Sequence, residues 1–391
     1  MGFPRPIRRF LEQRFDTEVA EGFLDKQIHK RLPPHTGWLH TFGSLSLLLF
    51  ISQTLTGIML LIYYRPTPDE AYKSIQFITG SAHFGWLYRQ VHAWGASLMI
   101  LALIFHMIRT FFMGSYKKPR ELTWVTGVLL FLVTITFGFT GYLLPWNQIA
   151  FWATTVGTES AAKVPVIGGW LQYFLRGGTS VTGETLSRFF VVHVIILPWV
   201  LTGLIVVHLF LMRTCNLATL EDVGKEKKIP AENGIPFFPV HVAKEGVVIV
   251  LLIAALVTLA VVAPWEIGEP ANALSTPAHI KPEWYFLPSY QLLKYFEGTY
   301  GAILGIFACS IPFILLFFWP FLDRGKARHP KKRPIAVGIG LVGLLGGLFL
   351  GYLGHISETE QTFFGQRYHI DLLGWPHKIV DGQDAPGEGP D

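Results

Sequence analysis

Four histidines stand inside long apolar stretches of this chain: His92 and His106 between Trp86 and Met113, and His193 and His208 between Arg188 and Met212. A polar side chain at membrane depth is expensive and is held by a partner. One such histidine is most simply a hydrogen-bonded packing residue. Four in two pairs point to ligands, because neutral imidazole is a common metal ligand. His92 and His106 are 14 residues apart, so they share one helix face, separated by a rise of about 21 Å. That sets one near each side of a hydrocarbon core about 30 Å thick. His193 and His208 are 15 apart. The odd residue would turn the second ring by about 100° on an ideal helix. Pro198 and Gly203 lie between them and offer a kink to absorb the mismatch. If the two helices run the same way, His92 faces His193 and His106 faces His208. Two imidazoles at one depth can ligate a single haem iron axially.

Glycines repeat the same interval. Gly43 and Gly57 are 14 apart, as are Gly127 and Gly141. A flat macrocycle against a helix needs a missing side chain at its contact point. Small-residue helix packing is the other reading, but it does not demand the period of the histidines. Arg89 and Arg109 sit three residues beyond His92 and His106, toward the interfaces. They are placed to pair with haem propionates, and equally to snorkel.

These residues need helices that cross a membrane, and the composition supplies them. The 391 residues are 51% hydrophobic, 14% aromatic and only 15% charged, against roughly a quarter charged in soluble domains. The expected fold is an all-α integral membrane protein with seven transmembrane helices: a four-helix di-haem bundle followed by three helices. The spans fall near 41–64, 86–113, 124–144, 187–213, 246–263, 300–322 and 335–354. Residues 1–40 form a basic N-terminal segment. Its Ile7, Phe10, Leu11 and Phe15 among four arginines suit either an interfacial amphipathic helix or a solvated arm. The bundle is 41–213, a linker covers 214–245, the three-helix part is 246–354, and a polar tail, 355–391, ends in a Gly/Asp/Pro-rich disordered stretch. Between the third and fourth spans lies a long loop, 145–186, and between the fifth and sixth another, 264–299.

With the N-terminus inside, the segments 1–40, 109–120, 213–244 and 324–333 hold 22 Lys and Arg, against 9 in 65–73, 163–188, 281–294 and 367–378. The N-terminus is therefore expected to be cytoplasmic and the C-terminus and both long loops outside. The net charge of +5 is a topology signal rather than a nucleic-acid one. Cys215 and Cys309 give no disulfide framework, and no Cys-x-x-Cys-His motif attaches a c-type haem. On the outer loop, Glu283 is the one acid in a run bounded by Pro282 and aromatics. A carboxylate there can accept a proton, or it can be a capping or solvated glutamate.

The chain resembles cytochrome b of the quinol–cytochrome c reductases, including the photosynthetic version split into two subunits. The match rests on the four His and four Gly, on Lys118-Pro-Arg-Glu-Leu-Thr-Trp-Val-Thr-Gly127, on Gly141-Tyr-Leu-Leu-Pro-Trp146, and on Pro282-Glu-Trp-Tyr285. It covers about residues 20–355. The 15-residue interval and Pro165-Val-Ile-Gly168 resemble the photosynthetic branch, yet both halves stand in one chain. The resemblance implies two b-type haems, an outer one on His92 and His193 and an inner one on His106 and His208. It implies that Glu283 binds the quinol hydroxyl and carries a proton outward, with Tyr285 close by. Tyr142, Pro145, Trp146, Pro282 and a short helical stretch from about Phe151 would complete that pocket. It further implies bifurcated electron transfer, with a Rieske iron–sulfur protein and a c-type cytochrome or similar acceptor as partners, a homodimer, and a bacterial inner membrane location. Two departures matter. Thr41 stands where the split type has a haem-attaching Cys nearby, which argues against a covalent third haem. Thr214 stands where the unsplit type has a quinone-binding His, so Arg213 becomes the leading inner-site candidate, with His40, Lys30 and Asp25 behind it.

Two other readings place histidines in membrane helices. A di-haem anchor of a dehydrogenase or hydrogenase needs only four or five helices and no Pro-Glu-Trp-Tyr loop. A transporter with a histidine proton relay predicts charged or broken helices at mid-depth and gives no reason for paired 14-residue periods.

Overall fold

The structure is a computed structural model that describes residues 5–14, 16–225, 233–277 and 280–379. Two short helices, α1 (Arg5–Glu12) and α2 (Thr17–Ile28), lead into α3 (Phe42–Leu61). Then come α4 (Ala71–Gly80), α5 (Gly85–Phe112), α6 (Glu121–Tyr142), α7 (Gln148–Ala162), α8 (Gly168–Arg176), α9 (Gly183–Val191) and α10 (Leu197–Cys215). The remainder is α11 (Val242–Val262), α12 (Leu287–Lys294), α13 (Gly298–Leu322) and α14 (Pro334–Ile356). Among the described residues, 7 helices are long and apolar enough to cross a membrane: α3, α5, α6, the continuous run Gly183–Cys215, the run Phe237–Val262, α13 and α14. Large apolar side chains stay exposed along them, such as Trp199, Ile335 and Val342. In water these faces would be an aggregation liability; against lipid tails they cost nothing, and the chain is an integral membrane protein.

The helices that carry the histidines are held together midway between the two histidine levels. Leu45 and Leu49 of α3, Met99 and Ala102 of α5, Leu201 of α10 and Leu256 of α11 form one buried cluster. On α5, Met99 and Ala102 fall between His92 and His106, so this apolar plug separates the two levels.

The fourth span differs from the expectation at one point. No kink at Gly203 absorbs the 15-residue interval; α10 runs through it without interruption. Instead, Val192–Ile196 forms a π-turn that contains His193, with the Leu197 N–H donating to the Val192 carbonyl. Pro198 supplies the reason. It has no N–H to give the Val194 carbonyl, so the α ladder cannot close there. A π-turn accommodates one extra residue, and the two imidazoles return to one face as if they were 14 apart.

Two loops contain more structure than expected. The 145–186 segment holds α7 and α8, and buried Arg176 joins them by donating to Thr158 Oγ1 at 2.7 Å and to the Thr155 carbonyl at 2.9 Å. The tail is not merely polar: β3 (Thr359–Phe363), β4 (Gln366–Ile370) and β5 (Pro376–Lys378) form an antiparallel sheet. Its strands follow the two-residue β1 (Arg31–Leu32) and β2 (Ile235–Pro236), which pair near the N-terminal side of the bundle. The expected disordered end falls at 380–391, outside the described residues.

The bundle and the three-helix part are clamped by charges just beyond α5 and α13. Lys117 Nζ donates to Asp323 Oδ1 at 2.7 Å, Tyr116 donates its hydroxyl to Asp323 Oδ2, and Arg333 Nη1 donates to Tyr116 at 3.1 Å. Burial alone would raise the Asp323 carboxyl, but the hydrogen bonds from Lys117 and Tyr116, with the Lys117 and Arg333 charges, hold it below the ordinary range. Burial holds Lys117 below the ordinary lysine range, more than Asp323 restores, with the Arg333 and Arg328 charges adding to the depression. Asp323→Ala would strand a buried Lys117 and is expected to cost about 3–5 kcal/mol in a denaturant titration in mixed micelles. Because the carboxyl is depressed, its contribution is full at neutral pH and is lost as pH falls through its folded value. A pH-independent loss, or none, would remove the clamp from the account.

Candidate functional site

Threonines orient the ligand candidates. Thr56, Thr126 and Thr140 each precede one of the periodic glycines. Each donates its hydroxyl hydrogen back to a carbonyl four residues earlier: Ser52 at 2.7 Å, Leu122 at 3.0 Å and Thr136 at 2.9 Å. The threonine oxygen is then left to accept. It lies 2.9 Å from His92 Nδ1, 3.0 Å from His208 Nδ1 and 3.1 Å from His193 Nδ1. Nδ1–H must donate, which fixes the tautomer and leaves Nε2 with a free lone pair for a metal. No reading of the sequence singled out these threonines. The signal was present as Thr-Gly at 56–57, 126–127 and 140–141.

The histidines come together in the expected pairs. The His92 and His193 ring centroids are 6.4 Å apart. A ring nitrogen lies about 1 Å from its centroid and a metal–imidazole bond is about 2 Å, so two rings on opposite sides of one metal stand about 6 Å apart. His106 and His208 line one cavity of about 450 Å³ at the other level. Among the described residues no three His, Cys, Asp or Glu side chains converge as a bare-metal site. Paired imidazoles suit a metal whose remaining positions are filled by a macrocycle.

Each glycine lies behind one ring. A Cβ at Gly141 would fall 2.6 Å from His193 Cε1, at Gly43 3.1 Å from His106 Cε1, at Gly127 3.3 Å from His208 Cε1 and at Gly57 3.4 Å from His92 Cε1. The nearest atoms are therefore imidazole atoms, and the glycines let each ring settle against the neighbouring helix. This grades their substitution. Gly141→Ala is expected to displace His193 and lose haem from the outer pair, whereas Gly57→Ala meets only van der Waals contact and retains both. Haem-to-protein stoichiometry of the two variants checks this; equal retention would refute it.

The arginines divide. Arg109 is 8% exposed, lines the cavity, and leaves Nε and Nη2 without hydrogen-bond partners among the described residues. A buried, unpaired guanidinium beside His106 and His208 fits an anionic group such as a propionate. Arg89 instead donates to the Trp265 carbonyl at 2.9 Å and the Glu266 carbonyl at 3.4 Å, where Gln90 Nε2 joins it at 3.0 Å. Its guanidinium braces the 264–299 loop. Arg213, Lys30 and His40 line the same cavity as Arg109, and Asp25 does not. Burial and then the Arg109 charge push His40 down to about 3. Burial and Arg213 lower Lys30.

At the opposite end, Glu283, Tyr142 and Tyr285 are electrostatic neighbours. Burial raises Glu283 above the ordinary carboxylate range. Burial, and then the Glu283 and Tyr142 charges, raise Tyr285. Tyr285 lies on α6 at Gly138, where a Cβ would come 2.5 Å from its hydroxyl. The run is fixed on both sides. Before Pro282, Lys281 Nζ donates to the Ser357 carbonyl at 2.7 Å. After it, Lys294 Nζ donates to Glu358 at 2.9 Å, and Tyr295 donates to the Leu373 carbonyl at 2.9 Å. Residues flanking the tail strands, Ser357, Glu358 and Leu373, thus hold the Glu283 loop in place. Past Pro145, the Trp146 carbonyl accepts from Ala271 N at 3.1 Å, and Gln148 N donates to the Glu269 carbonyl at 2.8 Å. Trp146 packs edge-on against Phe151 of α7, centroids 5.6 Å apart. A half-buried acid between two tyrosines, in a loop laced to the bundle, can take a proton from a bound hydroxyl.

Comparison with known proteins agrees with both halves. Residues 27–216 match the family described as cytochrome b/b6/petB, and residues 270–370 the family described as cytochrome b (C-terminal)/b6/petD. A cytochrome bc complex cytochrome b subunit from Chlorobaculum thiosulfatiphilum is 45% identical over 338 residues, 86% of this chain and 78% of that one. The cytochrome b of Rickettsia conorii is 35% identical over 343 residues, 86% of this chain and 84% of that one. A solved chain of a hyperthermophilic respiratory Complex III aligns with a TM-score of 0.81 at 30% identity, over 90% of this chain and 92% of that one.

Proposed function

The chain belongs to the cytochrome b family, and from that premise we propose that it oxidises quinol at an outer site around Glu283 and returns electrons to a quinone at an inner site. It is the cytochrome b subunit of a bc-type oxidoreductase complex. In this reading one electron of each quinol goes to a Rieske iron–sulfur partner, which passes it to a c-type cytochrome or similar acceptor. Bound b haems supply one-electron carriers across the membrane, the outer held by His92 and His193 and the inner by His106 and His208.

The observation that carries the proposal is the placement of Glu283 among Tyr142 and Tyr285 at the same end of the bundle as His92 and His193. Oxidising a quinol releases two protons with its two electrons. Glu283 accepts a proton from the quinol hydroxyl when ionised, and Tyr142 and Tyr285 bound the ring pocket. Lys281 and Lys294, anchored to Ser357 and Glu358 where the tail leaves α14, hold the acid at its position. At the inner end Arg109 would pair with a propionate, while Arg213, Lys30 and His40 would provide donors around the quinone and its incoming protons. The N-terminus is cytoplasmic and the outer loops and tail face the opposite side of a bacterial inner membrane. A homodimer is the assembly the family implies.

Divergent routing has a distinctive test. With the inner site blocked and quinol present, a pulse of oxidant delivered to the outer acceptor should transiently reduce the b haems. If the pulse only oxidises them, the two electrons do not diverge at this site.

A further inference from the structure

Three of the four ligand histidines have a threonine acceptor and the fourth does not. His92, His193 and His208 donate from Nδ1 to Thr56, Thr140 and Thr126. Carbonyls of Gln53, Phe137 and Thr123 stand beside these threonines as further acceptors for the same rings. The matching position before Gly43 is Phe42, which has no oxygen to offer. Its ring packs on Phe105 instead, with centroids 5.1 Å apart. His106 Nδ1 is buried and has no hydrogen-bond partner among the described residues. The outer pair is therefore hydrogen-bonded on both sides, and the inner pair on one.

Donation from Nδ1–H makes an imidazole more basic at Nε2. A more basic axial ligand stabilises ferric over ferrous iron, and hydrogen bonding beyond the ligands is one of the levers a protein has on haem potential. We propose that Phe42, by withholding an acceptor from His106, raises the midpoint potential of the inner haem. The inference rests on the reading of these histidines as haem ligands. Its consequence is directional. In the one-electron equilibrium between the two haems, one is oxidised as the other is reduced and no proton is exchanged. The missing acceptor shifts that equilibrium toward a reduced inner haem.

The test is a spectroscopic redox titration of the purified holo-complex carrying Phe42→Thr, with Phe42→Val as its partner. The two substitutions open the same space against Phe105, and only threonine supplies an oxygen. Relative to Phe42→Val, Phe42→Thr should move the inter-haem equilibrium toward the outer haem by up to about fivefold, the ceiling set when one net hydrogen bond forms only to the ferric state. For a one-electron couple this is a fall of about 40 mV in the inner midpoint alone. Thr140→Val should move the outer midpoint the opposite way. Identical inner midpoints in the threonine and valine variants, with both haems present, would overturn the proposal. A wild-type complex without two b haems would instead overturn the ligand reading beneath it.

Discussion

Replacing His92 with leucine is expected to halve the b-haem content and to stop quinol-driven reduction of the inner haem, while the His106/His208 pair keeps its own haem. The two levels are separated by the apolar plug of Leu49, Met99, Ala102 and Leu201, so loss of one ligand need not disturb the other site. His193 would be left donating to Thr140 with no partner across the 6.4 Å gap. His208→Leu should give the mirror result, with the outer haem retained and still reduced by quinol, but with no onward transfer. The checks are haem stoichiometry and stopped-flow reduction spectra. Loss of both haems from either variant would mean that the levels are not independent.

Glu283→Gln is the second large effect. The amide keeps the shape of the acid and cannot accept the quinol proton. A lost general base typically costs about 10²–10⁴-fold in rate, and quinol oxidation should fall within that range with both haem spectra intact. The pH dependence provides a second readout. Burial raises the folded pKa of Glu283, so its carboxylate is depleted as pH falls through a value above the ordinary glutamate range. The wild-type rate should therefore climb with pH through that value and level off above it, and Glu283→Gln should lose this limb. Unimpaired oxidation in the glutamine variant would remove Glu283 from the mechanism.

Much of this was legible in the residues. Seven spans follow from runs of apolar side chains, because length and hydropathy alone decide whether a helix can cross a bilayer. The histidine and glycine pairs follow from a 14-residue interval in three helices and a 15-residue one in the fourth. Other features were hidden because they depend on the third dimension. Arg89 stands at a propionate-pairing offset from His92, but its bonds to the backbone carbonyls of Trp265 and Glu266, 176 and 177 residues away, had no signal in the sequence. The π-turn at His193 needed Pro198 to be read for its missing N–H rather than for a kink. The tail sheet had short strands in a polar stretch, too weak a pattern to separate from an irregular tail. Ser357 and Glu358, which lead into it, anchor Lys281 and Lys294 on either side of Glu283. The threonine acceptors were overlooked because a Thr in a membrane helix is usually satisfied by its own carbonyl four residues back. Here that same bond is what turns the hydroxyl oxygen toward the histidine.

The central claim is that this chain holds two haems at two depths, each between one histidine of α5 and one of the run Gly183–Cys215. A reduced-minus-oxidised spectrum with a redox titration of the purified protein tests it most directly. Two haems per chain should give b-type bands that titrate as two separate one-electron steps. An absence of b-type bands, or a stoichiometry of one haem per chain in the wild-type protein, would contradict it.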